Sequence, residues 1–351
     1  MKHDKETIRV AALRLIAADG HRVGTRLAVA VGVSRQVANG FLQTLTQDGL
    51  VEAAGTTRAR VYRLRTTATA MKRFTREGLG EDLVWREVVA PLVADLPDNV
   101  RNIWHYGSTE MINNAIDHSG STEVQVSVLR NALWTDVEVA DEGQGIFVKI
   151  QRALDLHDPR EAILELAKGK LTTAPEAHSG EGVFFTSRAM DRFEIESHHL
   201  RFVHAARADD SIAEQPADTQ GTRVRLRLNN NSAKKLRDVF DEYTDPEEAT
   251  FDKTVVPLRL AQYEGETLVS RSQAKRVSNR FERFKRVELD FAGISDIGQA
   301  FADELFRVFA TAHPMIRITP VNAAPAVAQM IKRAVAARAA QAVQGGGESA
   351  A

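Results

Sequence analysis

The chain has 351 residues, of which 26% are charged and 43% are hydrophobic, and its formal net charge is −1. It contains no cysteine, which excludes disulfides and cysteine-ligated metal sites. No apolar run approaches the roughly 18 residues that a membrane-spanning helix needs, and residues 1–10 contain no apolar signal segment. We therefore expect a cytoplasmic protein of two or three domains with no membrane partner.

The first 65 residues are basic, with 11 Lys and Arg against 5 Asp and Glu. Apolar residues recur at helical spacing from Ile8 to Ile16. Thr25 and Ser34 can cap two further helices, and Gly32 supplies the tight turn between them. An alternating, arginine-rich hairpin follows. The pattern resembles a winged helix-turn-helix domain.

This resemblance implies that the N-terminal domain binds DNA. The expected contact residues are Arg35, Gln36, Asn39, Arg58 and Arg60. The first three stand at the start of the third helix and would face base edges, whereas the arginines of the hairpin would contact phosphates. The alternative is a helical interaction or dimerisation module whose arginines form only a solvated face.

Residues 67–80 lose the apolar periodicity and predict a linker. Of the two helices predicted next, the second begins after Pro97 and contains "STEMINNAIDH". Glu110 and Asn114 lie one turn apart on it and project from the same side. Such a carboxylate and amide can hold a hydrated Mg²⁺ and orient a water, because Mg²⁺ takes few protein ligands. A solvated helical face gives the same spacing, so the pair alone is weakly specific.

Two glycine-containing segments follow this helix. The sequence "TEVQVSVLRNALWTDVEVADEGQGI" predicts a β-hairpin that ends at Asp141 and continues into Gly143 and Gly145. An Asp there can accept a hydrogen bond from an exocyclic amine, and the glycines leave space for a planar base. In "HSGEGVFF", Gly180 and Gly182 precede a helix, whose N-terminal N–H groups can face an anion.

A last segment, "QGTRVRLRL", places Thr222 at the start of a strand after a long polar loop. In this order the four segments resemble the GHKL family of ATP-binding domains. These domains have the Bergerat fold of gyrase, the Hsp90 chaperone, MutL, histidine kinases and anti-sigma-factor serine kinases. The resemblance covers about residues 80–230 and implies ATP and Mg²⁺ as cofactors. It implies that Asn114 is the magnesium ligand, Asp141 the acceptor for the adenine amine and Glu110 the catalytic base.

The remaining family positions follow from the same resemblance. Gly143 and Gly145 match the first glycine box, Gly180 and Gly182 match the phosphate-binding second box, and Thr222 matches the threonine that supports the adenine site. Residues 147–179 correspond to the lid over the nucleotide. Its candidate phosphate ligands are Lys168, Lys170, Thr172, Thr173 and His178, although solvated loop residues fit the same pattern. A sensor histidine kinase is disfavoured, because His105 lies on the Glu110 helix and no separate phosphoacceptor hairpin precedes it.

From residue 250 onward, predicted helices and strands alternate, which indicates a small α/β domain. The pattern around Val287 and Ile318 resembles a STAS-like domain, the fold of anti-sigma-factor antagonists. Those antagonists carry an Asp-Ser-Ser run at the start of a helix, where this chain has Gly298, Gln299 and Ala300. A kinase that phosphorylates its own STAS-like domain would therefore lack its acceptor.

The expected fold is a multidomain α+β and α/β protein with a winged helix, a Bergerat α/β sandwich and a small STAS-like α/β domain. The expected boundaries are 1–66 for the winged helix, 67–80 for the linker, 81–230 for the ATP-binding domain, 250–337 for the STAS-like domain and 338–351 for a flexible tail. We predict an ATP-binding regulator in which Mg-ATP binding and slow hydrolysis switch the DNA-binding domain and the STAS-like interaction module.

Three alternatives to this function stay open. The first is a serine/threonine kinase that acts in trans on a partner related to sigma-factor regulation. The second is an adaptor that binds ATP but barely hydrolyses it, and the third is an ATP-switched stress or phage-defence effector. By analogy with related domains, we also expect a homodimer, with DNA and a protein as further partners.

Overall fold

The computed structural model describes residues 4–56, 59–172, 180–206, 208–245, 250–263 and 266–345. Over these ranges the protein is a mixed α+β structure with a two-stranded, a five-stranded and a three-stranded sheet. The three sheets follow one another along the chain, and each is flanked by its own helices.

The N-terminal part consists of helices around a small antiparallel sheet. Its elements are α1 Lys5–Ala18, α2 Val23–Ala30, α3 Arg35–Gln47, β1 Val51–Ala54 and β2 Val61–Leu64. The predicted cap of α3 is confirmed, since the Ser34 hydroxyl accepts a hydrogen bond of 3.2 Å from the N–H of Val37. Gly32 makes the expected turn with φ +62°. Thr25 is not a cap, because α2 begins before it at Val23.

The hydrophobic core of this N-terminal part includes a residue from the central sheet. Ile8, Leu27 and Leu42 are buried in it. Leu133, in the turn that joins two strands of the central sheet, packs into the same core and is 6% exposed. The N-terminal part is thus attached to the next part by apolar packing as well as by the chain.

The central sheet is antiparallel, with the strand order β3-β4-β5-β7-β6. Its strands are β3 Thr66–Thr75, β4 Glu123–Asn131, β5 Trp134–Asp141, β6 Arg192–Ala205 and β7 Ala208–Asn229. The helices of this part are α4 Glu81–Val84, a π-helical turn Trp85–Val89, α5 Ala90–Val93, α6 Asp98–His118, α7 Ile146–Ala153, α8 Pro159–Lys168, α9 Gly182–Ala189 and α10 Leu236–Tyr243. The long helix after Pro97 and the β4–β5 hairpin are confirmed.

Alternation along the strands gives this sheet one buried and one polar face. Val126, Val137 and Val139 are buried beneath the helices, whereas Asp136 and Glu138 face the other side and pair with arginines of β7. The buried face therefore presents the end of β5 and the part of β7 around Thr222 to helix α6, where Glu110 and Asn114 lie.

Two expectations about this part are corrected. Residues 67–80 are not simply a linker, because β3 pairs with β4 from Thr66 to Thr75. This edge strand is mostly exposed, so its side chains lack the apolar alternation of a half-buried strand. Thr222 lies inside β7 rather than at its start, because the polar residues before it continue the hairpin with β6.

The C-terminal part has a parallel sheet in the order β10-β9-β8. Its elements are β8 Lys253–Pro257, a 3-10 turn Leu258–Ala261, α11 Arg271–Ser278, a 3-10 turn Phe281–Arg283, β9 Arg286–Asp290, α12 Gln299–Asp303, a π-helical turn Glu304–Phe309, α13 Ala310–Ala312, β10 Arg317–Val321 and α14 Pro325–Gly345.

The last helix differs from the expected tail. It continues past residue 337 to Gly345, because the segment after 337 is rich in alanine, which favours helix. Residues 346–351 lie outside the described part of the chain. The C-terminal and central parts share a continuous hydrophobic core, in which the tilted rings of Phe184 of α9 and Phe251 have centroids 4.8 Å apart.

Candidate functional site

A cavity of about 300 Å³ lies between α6, the end of β5, the part of β7 around Thr222, and helices α7, α8 and α9. Its volume is at the lower end of the range for small-molecule sites, about 300–1,000 Å³. The predicted site residues that line it are Glu110, Asn114, Asp141, Gly145, Gly180, Gly182 and Thr222. Gly143 lies in the turn directly after Asp141 and is not part of the lining. Four separate segments of the chain thus meet at this cavity.

One wall of the cavity is a buried carboxylate at the end of a strand. Asp141 ends β5 and lies opposite Thr222 of β7 in the antiparallel register. Its Oδ1 accepts a hydrogen bond of 2.9 Å from the N–H of Gly143. Burial raises the pKa of Asp141, and hydrogen bonds from the N–H groups of Gly143 and Thr222 oppose this rise. The Thr222 hydroxyl accepts a hydrogen bond of 3.0 Å from the N–H of Ile146, which joins both strands to α7.

The turn after Asp141 leaves no space for a side chain at either of its two glycines. A Cβ on Gly143 would lie 2.0 Å from the carbonyl oxygen of Ser119, at the end of α6. Gly145 has φ +82°, and a Cβ there would lie 2.5 Å from the Ser197 hydroxyl. Both glycines are therefore needed for the turn to pass between α6 and β6.

The opposite side of the cavity brings Glu110 against the start of a helix. Gly182 is the first residue of α9, and a Cβ on it would lie 2.0 Å from Oε2 of Glu110. Gly180 has φ +73° and packs against the backbone of Leu171. The N-terminal N–H groups of a helix attract anions, so this end of the cavity suits a negatively charged ligand group close to the Glu110 carboxylate.

The residues around Asn114 fit a hydrated ion better than a protein-only metal site. Among the residues that the structure describes, no three His, Cys, Asp or Glu side chains are placed to hold a metal. An ion at the Asn114 amide oxygen would take most of its ligands from water and from a bound ligand. This is the way in which Mg²⁺ binds with nucleotide phosphates.

One cationic lining residue escaped the sequence analysis. Lys149 of α7 lines the cavity and donates a hydrogen bond of 2.8 Å to the carbonyl of His118. Burial lowers its pKa, and Asp117 opposes this. The position of Lys149 in the sequence, one turn after Gly145, is the feature from which its place in the cavity could have been predicted. The apolar part of the lining is Met111, Ala115, Val139, Ile146, Ile150, Leu166, Leu171, Val183, Ile195 and Val224.

The predicted lid residues have mixed outcomes. Thr172 lines the cavity, whereas Thr173 and His178 lie outside the described residues. The expectation that Lys168 reaches a phosphate is wrong in this structure, because its ammonium is fully buried and donates to Glu165. Lys170 donates to the carbonyl of Arg283 at 2.8 Å, so both lysines turn toward the C-terminal part.

The predicted DNA-contacting residues that the structure describes lie on the N-terminal part and do not line the cavity. Arg35, Gln36 and Asn39 are exposed on α3, and Arg60 is exposed just before β2. Arg58 lies outside the described residues. The Asn39 amide oxygen packs against Gly24 of α2, where a Cβ would come within 2.2 Å of it.

Comparison with known proteins identifies the C-terminal part. No curated protein matches the chain. No helix in the described ranges has the length and apolar character needed to cross a membrane. Residues 273–328, from α11 into α14, match the family described as "STAS-like domain of unknown function (DUF4325)". The chain is therefore a mixed α+β protein of several sheets with a C-terminal STAS-like domain.

Proposed function

We propose that the chain is an ATP-binding regulator whose nucleotide site is the cavity between Asn114, Asp141 and Gly182. The observation that carries the proposal is the meeting of four distant segments at one cavity. Their order along the chain is that of the GHKL family. Asp141 is the acceptor for an exocyclic amine, and the apolar lining suits the faces of a planar base.

The other end of the cavity would hold the phosphates. The start of α9 provides N–H groups for them, and Asn114 provides an oxygen for Mg²⁺. When bound, Mg²⁺ would neutralise charge on the phosphates. Glu110 is the general base that takes a proton from the water that attacks the γ-phosphorus, and ADP is the leaving group.

The N-terminal part would carry the output. Its capped helix α3 presents Arg35 and Gln36 to solvent, and Arg60 adds a cation beside the hairpin. These residues support a winged helix that binds DNA through base edges and phosphates. Leu133 supports communication between the two parts, because it packs in the core of the DNA-binding part and lies in the turn that leads into β5, the strand that ends at Asp141.

The STAS-like domain favours a protein kinase as the second candidate. Anti-sigma-factor kinases of the GHKL family act on STAS partners, so the same site could pass the γ-phosphoryl group to a partner hydroxyl. The chain's own domain is a poor acceptor. Gly298 precedes α12, and a Cβ there would lie 2.6 Å from the backbone of Val269. A serine side chain therefore has no space at this position.

Titration calorimetry with ATP and a non-hydrolysable analogue in the presence of Mg²⁺ tests the proposal, followed by measurement of phosphate release. We expect binding of both ligands and slow release from ATP. Transfer of labelled phosphate to a protein would favour the kinase, and binding without release would favour an adaptor. Failure of the full chain to bind either nucleotide would overturn the proposed function.

A further inference from the structure

A buried charged cluster joins α8 to the STAS-like domain. The Lys168 ammonium donates to Glu165 Oε1 at 2.6 Å, and the Arg280 guanidinium donates to Glu165 Oε2 at 2.9 Å. The ammonium also donates to the carbonyl of Asn279 at 2.9 Å. Glu165 and Lys168 belong to α8, whereas Asn279 and Arg280 lie within the STAS-like match. We name Glu165, Lys168 and Arg280 the clamp.

The clamp is almost completely removed from solvent. The side chains of Glu165 and Lys168 are 2% and 0% exposed, and that of Arg280 is 8% exposed. Two cations share one carboxylate, so each group depends on the others and on the backbone carbonyls around them. An apolar interface would tolerate sliding, but this arrangement fixes the position of α8 on the domain because buried donors must keep their acceptors.

The same contacts hold the chain that leaves α8 and enters the cavity wall. Thr254 donates its hydroxyl to the Lys168 carbonyl at 2.7 Å, and Arg280 donates to the carbonyls of Gly169 and Lys170. Gly169 and Lys170 have φ +82° and +50°, so these bonds hold an unusual backbone turn in place. The next residues, Leu171 and Thr172, line the cavity.

The contact between α8 and the C-terminal part has a second polar anchor. Arg276, in the STAS-like match, lies 3.5 Å from Glu161 of α8, and the Tyr263 hydroxyl donates to the same carboxylate at 3.1 Å. Arg276 also stacks on the Tyr263 ring. Both ends of α8 are therefore held by the part of the chain that contains the STAS-like domain.

We infer that the clamp positions the cavity wall from the STAS-like domain, so that this domain sets the affinity of the nucleotide site. The affinity consequence rests on the proposed function, whereas the positioning of the wall does not. Linkage makes the effect reciprocal. A partner protein that binds the STAS-like domain and moves Arg280 would change the affinity of the cavity for nucleotide. Bound nucleotide would change the affinity of the domain for that partner by the same factor.

The test compares Arg280→Gln with Arg307→Gln in the full chain. Arg307 is the matched control, because it pairs with Asp303 inside the STAS-like domain and does not contact α8. Amide hydrogen exchange of residues 163–172 is measured without nucleotide, and ATP with Mg²⁺ is then titrated. Relative to wild type, we expect Arg280→Gln to exchange about tenfold faster and to bind ATP at least about fivefold more weakly. Arg307→Gln should match wild type in both measurements.

The two readouts separate the inference from the proposed function. Unchanged exchange in a folded Arg280→Gln protein would overturn the clamp, and faster exchange with unchanged ATP affinity would overturn its control of the site. If the wild type binds no ATP, the proposed function fails, and exchange alone decides the positioning. Should Arg280→Gln not fold, Lys168→Met keeps an unbranched side chain of similar size without the ammonium, and it must accelerate exchange in the same residues.

Discussion

Asp141 and Thr222 lie directly opposite each other in neighbouring antiparallel strands, and both line the same cavity. Their strands are far apart in the chain, so the sheet register alone brings the two side chains together. Asp141 accepts backbone hydrogen bonds while it is buried, and Thr222 holds the first N–H of α7. This pair therefore holds a buried hydrogen-bond acceptor at a fixed position in the cavity wall.

The first prediction concerns this acceptor. Asp141→Asn should weaken ATP binding by about 10- to 100-fold, because a hydrogen bond to a charged group is worth about 1.5–3 kcal/mol. Asp136→Asn is the control, since Asp136 lies on the same strand but pairs with Arg227 on the polar face. Calorimetric titration of both variants measures the effect. Equal ATP affinity in Asp141→Asn and wild type would show that Asp141 does not contribute to ATP binding.

The second prediction is the pH dependence of the same interaction. Burial raises the folded-state pKa of Asp141 above its ordinary value of 3.8. ATP affinity should therefore begin to fall at a higher pH than for an ordinary aspartate. In the unfolded chain Asp141 has its ordinary pKa, so between that value and the raised folded-state pKa the folded protein binds more protons than the unfolded chain. The free energy of unfolding therefore falls as pH rises through this interval. Titrations at successive pH values should show the fall in wild type and a flatter profile in Asp141→Asn.

The third prediction separates binding from chemistry at Glu110. Glu110→Gln keeps the side-chain shape next to Gly182 but cannot accept the proton. We expect ATP affinity within a few-fold of wild type and phosphate release slower by about 10²- to 10⁴-fold. Glu123→Gln, an exposed residue of β4 that pairs with Arg73, should release phosphate at the wild-type rate. Undiminished release from Glu110→Gln would exclude it as the general base.

The fourth prediction tests the turn after Asp141. Gly143→Ala should destabilise the fold by about 1–3 kcal/mol, because the new Cβ meets the Ser119 carbonyl and the backbone must shift. Gly40→Ala, inside α3 with open space around it, should instead stabilise by up to about 1 kcal/mol. Urea denaturation of both variants gives the free energies of unfolding. A neutral Gly143→Ala would show that the turn is loosely packed.

The fifth prediction concerns the connection to the N-terminal part. Leu133→Ala should cost about 2–5 kcal/mol, because it opens a cavity in the core around Ile8 and Leu42. Leu129→Ala, on the same hairpin but 51% exposed, should cost little. Hydrogen exchange should show lost protection in α1 to α3 only for Leu133→Ala, with weaker DNA binding in a mobility-shift assay. Equal protection in both variants would mean that the N-terminal core does not need Leu133.

The elements that were predicted well have local causes. The Ser34 cap, the helix after Pro97 and the β4–β5 hairpin each follow from caps, turn residues and apolar spacing within about one element's length. The edge strand β3 escaped prediction because an exposed edge needs no apolar alternation. The position of Lys149 in the cavity lining was not predicted, because a single lysine on a helix forms no sequence pattern.

The amino-acid order shows which chemical groups stand close together along one helix or strand. Glu110 and Asn114 share a helical face, and Asp141 ends a strand, because backbone geometry dictates both. Which of these groups meet across the fold, and which lysines line the cavity, depends on long-range packing. Lys168 has the sequence features of a mobile phosphate ligand, yet it is buried against Arg280 and Glu165. Glu165 is a local partner on the same helix, but the burial of the ammonium is set by the packing of α8 on the C-terminal part of the chain. No local pattern encodes that packing.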